Sequence, residues 1–347
     1  AHKWSQLARA RLFELLRFEP PVTPLNPEVV EIQDCGDITR EKLYFDSAPG
    51  IRVPAYLLRS SHQDRPLPGI VALHDHGGFY SIGKEKLIEL PDERSEVRAF
   101  KETYYSGRSY ATELARRGYV VIVIDAFYFG ERRVDFNTVD PAIGPRVKHY
   151  ASSAKEAFAA YHEQCAGFEE VVARQIFAAG GTWLGLMNHD DRASVSYLIS
   201  RPEVDQNRIG CIGLSMGGHR NNYLFATDPR IKAAVTVGWM CNWSDLLPNH
   251  VISHSWTQFV PGLAELFELS DIATIGMPGA LLVLQCSRDE LFTSEGMLSA
   301  CQKIEAGYTK AGLNDRFQYR FYDVPHQFNK DMQNDAFNWL DKQLGNV

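Results

Sequence analysis

Apolar positions recur along the chain in two rhythms. Residues 3–18 place Trp4, Leu7, Ala8, Leu12, Leu15 and Leu16 at helical spacing with Arg9, Arg11 and Glu14 between them, which predicts an amphipathic helix packed on the body of the fold. The proline-rich stretch 20–27 ends it. Two strand-like segments, 42–45 and 51–58, follow and are joined through Ser47, Pro49 and Gly50 as a hairpin would be. From residue 69 the rhythm changes to short apolar runs at 69–73, 119–124, 209–214, 231–237, 278–286 and 317–322. Each run reads as a strand, those at 209–214 and 231–237 as buried ones. Helical patterns at 109–118, 182–200, 294–311 and 328–344, with one starting just after Gly218, alternate with them.

That alternation predicts an α/β fold with right-handed crossovers and a mainly parallel central sheet covered by helices on both faces. Segments near 80–108, 131–181 and 239–277 interrupt it and are expected to be insertions forming a cap, the second helical in part through 154–179. Residues 1–68 then form an N-terminal helix and hairpin packed on a catalytic core of 69–347, the whole read as one domain. The 347 residues bury a large core easily.

Charge changes the picture only by exclusion. Lys and Arg total 36 against 43 Asp and Glu, a net charge of −7, and no basic stretch is interleaved with aromatics, so nucleic acid and anionic membranes are not expected partners. No apolar run approaches a membrane span, and no signal-peptide pattern opens the chain. The chain begins at Ala1, so a leader removed by processing stays open beside the expected cytoplasmic location. Six cysteines without C-x-x-C spacing are too few for a disulfide framework, and Cys211 and Cys286 fall inside expected strands as small buried thiols.

The candidate chemistry centres on Gly213-Leu214-Ser215-Met216-Gly217, a G-x-S-x-G sequence placed between a buried run and a helix. A serine forced into so tight a turn needs neighbours without a bulky Cβ. Ser215 would project its hydroxyl outward, and the backbone N–H of Met216, at the positive end of the new helix, would face whatever Ser215 attacks. The run 69–73 leads into His74-Asp75-His76-Gly77-Gly78-Phe79, where Gly78 N–H, or failing that Gly77 N–H, is expected to supply the second oxyanion donor. Asp289 follows one strand and His326 the last, so Ser215, Asp289 and His326 should emerge at one sheet edge as nucleophile, imidazole-orienting acid and general base. Glu290 is the alternative acid. Phe79, Tyr80, Trp239, Trp243 and Trp256 are expected to line the substrate pocket. Glu131 and Arg132 are expected to form an ion pair with each other, and His189, Asp190 and Asp191 to be solvated or ion-paired.

The run D-D-R-A-S-V-S-Y-L-I-S-R-P-E-V-D-Q-N-R-I-G-C-I-G-L-S-M-G-G resembles the dienelactone hydrolase and acetyl xylan esterase-like branch of the α/β-hydrolases, also related to the catalytic domain of prolyl oligopeptidases. D-A-F-Y-F-G-E-R is similar to the segment that branch carries after its fourth strand. Two positions depart from the pattern: residue 215 is serine where dienelactone hydrolase itself uses cysteine, and the acid lies in C-S-R-D-E rather than G-x-x-D. The resemblance implies an α/β-hydrolase fold and a serine carboxylic-ester hydrolase working through an acyl-enzyme, on a small-molecule ester such as a short-chain or sugar acetate. It needs no cofactor, and an oligomer is left open. Three rivals stand beside this reading. They are a serine peptidase related to prolyl oligopeptidase, a catalytically silent binding protein, and a metal hydrolase using His74 and His76, for which no third ligand is evident.

Overall fold

The computed structural model describes residues 2–62, 65–140, 142 and 154–345. Strands β1 (Glu28–Asp34), β2 (Ile38–Ala48), β3 (Ile51–Ser60), β4 (Leu67–Leu73), β5 (Val120–Ile124), β6 (Val204–Leu214), β7 (Ile231–Val237), β8 (Ala280–Cys286) and β9 (Phe317–Tyr322) form one sheet in the order β1-β2-β3-β5-β4-β6-β7-β8-β9. The pairs from β1 to β5 in that order are antiparallel, and every pair from β5 to β9 is parallel. The parallel strands β4, β5, β7 and β8 are buried almost throughout because helices cover both faces, which is why their sequences read as apolar runs, whereas the edge strand β9 is largely exposed.

The helices are α1 (His2–Leu16), α2 (Ser95–Tyr105), α3 (Tyr110–Arg116), α4 (Ala154–Ala178), α5 (Trp183–Ser200), α6 (Met216–Thr227), α7 (Trp243–Asn249), α8 (Leu263–Leu266), α9 (Leu269–Ile275), α10 (Ser294–Lys310) and α11 (Lys330–Leu344). Two separate apolar layers result. Helices α5, α6, α9 and α10 cover one face with α1, and α3 and α11 cover the other. Thr182 caps α5 by accepting from Gly185 N–H, and Asn329 caps α11 by accepting from Met332 N–H. Among the described residues no helix is long and apolar enough to cross a membrane.

Several expectations are corrected. Helix α1 buries Ala8, Leu12 and Leu16 but leaves Trp4 and Leu7 exposed, so the apolar stripe is narrower than its spacing implies. The hairpin strands are longer than expected, and β1 precedes them as an edge strand exposed on both faces. The 80–108 segment, for which no helix is expected, contains α2. Part of the 131–181 segment, residues 141 and 143–153, lies outside the described residues. Glu131 and Arg132 do not pair with each other: Glu131 meets Lys84 and Lys42, while Arg132 meets Asp190 at 2.6 Å.

Candidate active site

Because β4 to β9 run parallel, the loops that follow them gather at one sheet edge. There Ser215 joins β6 to α6 with φ 57° and ψ −122°, a conformation that persists only where the surroundings fix it. Its N–H donates to the Val237 carbonyl at 2.9 Å, and its own carbonyl accepts from His219 N–H at 2.8 Å. A Cβ on Gly213 would sit 2.4 Å from the Gly217 backbone, and one on Gly217 2.1 Å from the Leu73 carbonyl oxygen. The two glycines of the motif are therefore required by how closely β4, β6 and α6 approach.

Asp289 and His326 follow β8 and β9. Their loops are tied together by Ser287 N–H to Tyr322 O at 2.8 Å and Arg288 N–H to Val324 O at 3.1 Å. His326 Nδ1 lies 2.6 Å from Asp289 Oδ2, and Asp289 Oδ1 accepts from Leu291 N–H at 3.0 Å. The Asp289 side chain is fully enclosed, whereas Glu290 is exposed. Ser215 Oγ has no hydrogen-bond partner among the described residues. Such contacts are often long until substrate closes the site.

Ser215, Met216 and His326 share a cavity of about 380 Å³ with Gly77, Gly78, Tyr80, Glu169, Trp239, His254 and Gln258. Among the described residues no lysine or arginine lines it. The loop after β4 is held from beneath by Lys86, which donates to the Asp75 and His76 carbonyls at 2.9 and 2.8 Å, and by the buried Asp75 carboxylate, which accepts from Tyr105 OH. Gly77 and Gly78 have φ of 53° and 70°. Gly78 N–H is engaged with His76 Nδ1 at 3.1 Å, while Gly77 N–H makes no hydrogen bond among the described residues. Of these two candidate N–H groups, only that of Gly77 is unengaged among the described residues.

Of the aromatic candidates, Tyr80 and Trp239 line the cavity and three others do not. Phe79 turns away to stack on His162 with ring centroids 5.1 Å apart. Trp243 faces a separate groove with Phe177, Phe259 and Val260, and the Trp256 side chain lies outside the cavity. His74 and His76 do not converge. His74 uses both ring nitrogens internally, one beside Asp75 O at 2.8 Å and the other accepting from Ala126 N–H at 3.1 Å, and its burial holds it well below the ordinary histidine value.

Three residues that sequence reasoning had not assigned to the site belong to this cavity. His219 stacks on Trp239 with centroids 4.6 Å apart, and its burial lowers its pKa to about 3. His254 takes its place through a contact of Nδ1 with His250 O at 2.9 Å. Glu169, on α4, accepts from His76 Nε2 at 2.9 Å and Tyr80 OH at 3.1 Å on one oxygen. Its other oxygen accepts from Ser255 Oγ at 2.8 Å and Trp256 N–H at 3.3 Å. Glu169 and His76 are 93 positions apart, so no local pattern signals the pair.

Residues 105–254 match the dienelactone hydrolase family. Over 317 residues the chain is 28% identical to YtaP of Bacillus subtilis (strain 168), provisionally named a hydrolase, covering 89% of this chain and 90% of that one. Two solved structures share the fold at low identity. One, provisionally named an acetyl xylan esterase, from Bacteroides fragilis NCTC 9343, has a TM-score of 0.68 at 17% identity over 92% of this chain and 74% of that one. A glucuronoyl esterase from Solibacter usitatus has a TM-score of 0.66 at 13% identity over 99% and 94%. The chain is a hydrolase with the α/β-hydrolase fold, and its central segment is similar to the dienelactone hydrolase family.

Proposed function

We propose that this hydrolase cleaves carboxylic esters through a serine acyl-enzyme, with Ser215 as nucleophile, His326 as general base and Asp289 as the acid that orients it. The observation that carries the reading is the 2.6 Å contact between an enclosed Asp289 and His326, whose imidazole opens onto the cavity containing the strained Ser215. His326 Nδ1–H donates to the carboxylate, which leaves Nε2 to take the Ser215 proton as Oγ attacks the ester carbon. The same proton then goes to the leaving alcohol as the tetrahedral intermediate collapses, and a water repeats the cycle to release the acid. Met216 N–H and Gly77 N–H are the pair of donors for the oxyanion, since Gly78 N–H is already engaged.

The substrate is a short acyl ester of a hydroxylated alcohol, such as a sugar acetate. A cavity of about 380 Å³ suits a small acyl group, and Trp239 beside Gln258, His254 and Tyr80 offers a ring face with several hydrogen-bonding neighbours. Among the described residues no lysine or arginine lines it to recognise a carboxylate-bearing sugar. The test is intact mass after exposure to a fluorophosphonate, on the wild type and on Ser215→Ala, followed by acetyl esters, uronate methyl esters and peptides side by side. One adduct on the wild type alone, with turnover of acetates, is expected. An adduct on both proteins, or full turnover by Ser215→Ala, would reject the assignment.

A further inference from the structure

We propose that Glu169 is a positioning residue for ester hydrolysis, acting from α4 through His76 to fix the Gly77-Gly78 turn beside Ser215. The inference rests on the reading of Ser215 as nucleophile.

A carboxylate only accepts, so the 2.9 Å contact places the ring proton of His76 on Nε2 and leaves Nδ1 as an acceptor. Nδ1 is where Gly78 N–H arrives, at 3.1 Å. Little else restrains that residue. Gly77 is packed against Phe100 and Asp75, but Gly78 has no side chain, its φ is 70°, and a Cβ there would meet nothing within 4 Å, so packing does not hold Gly78 in place. The hydrogen bond to His76 does. The His76 ring is in turn kept from swinging by edge contacts to Tyr80 and Phe129, each with centroids 5.1 Å apart. Burial alone would raise the Glu169 pKa, but hydrogen bonds from His76, Ser255 and Tyr80 outweigh it and hold the carboxyl below its ordinary value. Four donors from the segments around His76, Tyr80 and Ser255 thus meet on one buried anion. The chain from Glu169 to Gly78 ends one residue from the unengaged Gly77 N–H.

A glutamine at 169 cannot reproduce this arrangement. If its oxygen faces His76, its amide nitrogen faces Trp256 N–H, donor against donor. Turnover of a short acyl ester by Glu169→Gln, His76→Ala and the double variant forms a cycle that tests the coupling. Each single change is expected to lower kcat by about 10- to 100-fold, part of what a whole oxyanion donor supplies, with KM moved by less than about threefold. The double variant should be no slower than His76→Ala, because Glu169 acts through the ring. His76→Asn, whose Oδ1 can take the Gly78 N–H in place of Nδ1, should recover most of the loss.

Additive losses, or a raised KM with unchanged kcat, would overturn the proposal and leave Glu169 as a tie between α4 and the loops. Should Glu169→Gln not fold, His76→Ala against His76→Asn decides, equal losses overturning it. Ser215→Ala is run alongside. Turnover by that variant would remove the nucleophile assignment, while the cycle would still report whether Glu169 works through His76.

Discussion

The Asp289 carboxylate is closed off from solvent 2.6 Å from His326 Nδ1, while Glu290, the next residue, is exposed. The peptide geometry after β8 therefore separates two acids that the sequence alone left as alternatives. Asp289 Oδ1 is held by Leu291 N–H, so the oxygen facing His326 has a fixed direction. Asp289→Asn would keep this shape but favour the wrong imidazole tautomer, and turnover of a short acyl ester is expected to fall by roughly 10³–10⁴. Glu290→Gln should stay within about twofold of wild type, as expected of a solvated charge away from the reacting atoms. Comparable losses in the two variants would contradict this assignment.

The turn at Ser215 makes a sterically sharp prediction. A methyl group on Gly217 would press on the Leu73 carbonyl oxygen, a backbone atom that cannot swing aside. Gly217→Ala should cost at least the ~1–3 kcal/mol typical of overpacking and shift the urea midpoint accordingly. An unchanged midpoint would mean that β4 and α6 are less closely apposed than described.

What the sequence made legible follows from how each element is stabilised. Strands β4, β5, β7 and β8 were readable because burial on both faces demands apolar runs, and the Ser215 turn because its flanking glycines are a local requirement. Strand β1 was not, since Glu28–Asp34 is exposed on both faces and owes its form to hydrogen bonds with β2. Helix α2 was obscured by its charges, one of which, Lys101, is buried after all and donates to Ile88 O. Lys84 and Lys86 lie in the same charged stretch, and both are enclosed among carboxylates and carbonyls that no local pattern signals. The same reason hid Glu169: a polar partner brought from another part of the chain leaves no periodicity. Trp243 and Trp256 show the converse, since an aromatic-rich segment beside the site sends Trp239 into the cavity and packs these two elsewhere.

Acid should destabilise the protein earlier than its carboxylates alone would dictate. Burial depresses His219 from 6.5 to about 3 and holds His74 well below the same value. Between pH 6.5 and about 3 the unfolded chain binds the His219 proton and the folded chain does not, and His74 acts in the same direction below pH 6.5. Their contribution is therefore complete above pH 6.5 and is lost as pH falls, by about 1.4 kcal/mol per pH unit for each histidine. Urea unfolding at pH 7.5 and 5.5 measures it, and His219→Gln should lessen the slope. Equal stability at both values would count against neutral, buried rings.

The helix carrying the Met216 N–H is anchored by a charge pair as well as by packing. Arg220 on α6 meets Asp191 on α5 through Nη2 to Oδ1 at 2.6 Å and Nε to Oδ2 at 3.1 Å, and both side chains are wholly buried. Burial outweighs Arg220 and leaves the Asp191 pKa raised, so the desolvation cost is only partly offset. Arg220→Met would strand that carboxylate. Its neighbour Asp190 cannot share the burden, because Ser47 and Arg132 already occupy it. The single change is expected to cost about 3–5 kcal/mol, whereas adding Asp191→Leu should return most of it, since two apolar side chains need no partner. Additive destabilisation in that cycle would show that α6 is held by its apolar face, and that the pair beneath Ser215 contributes little.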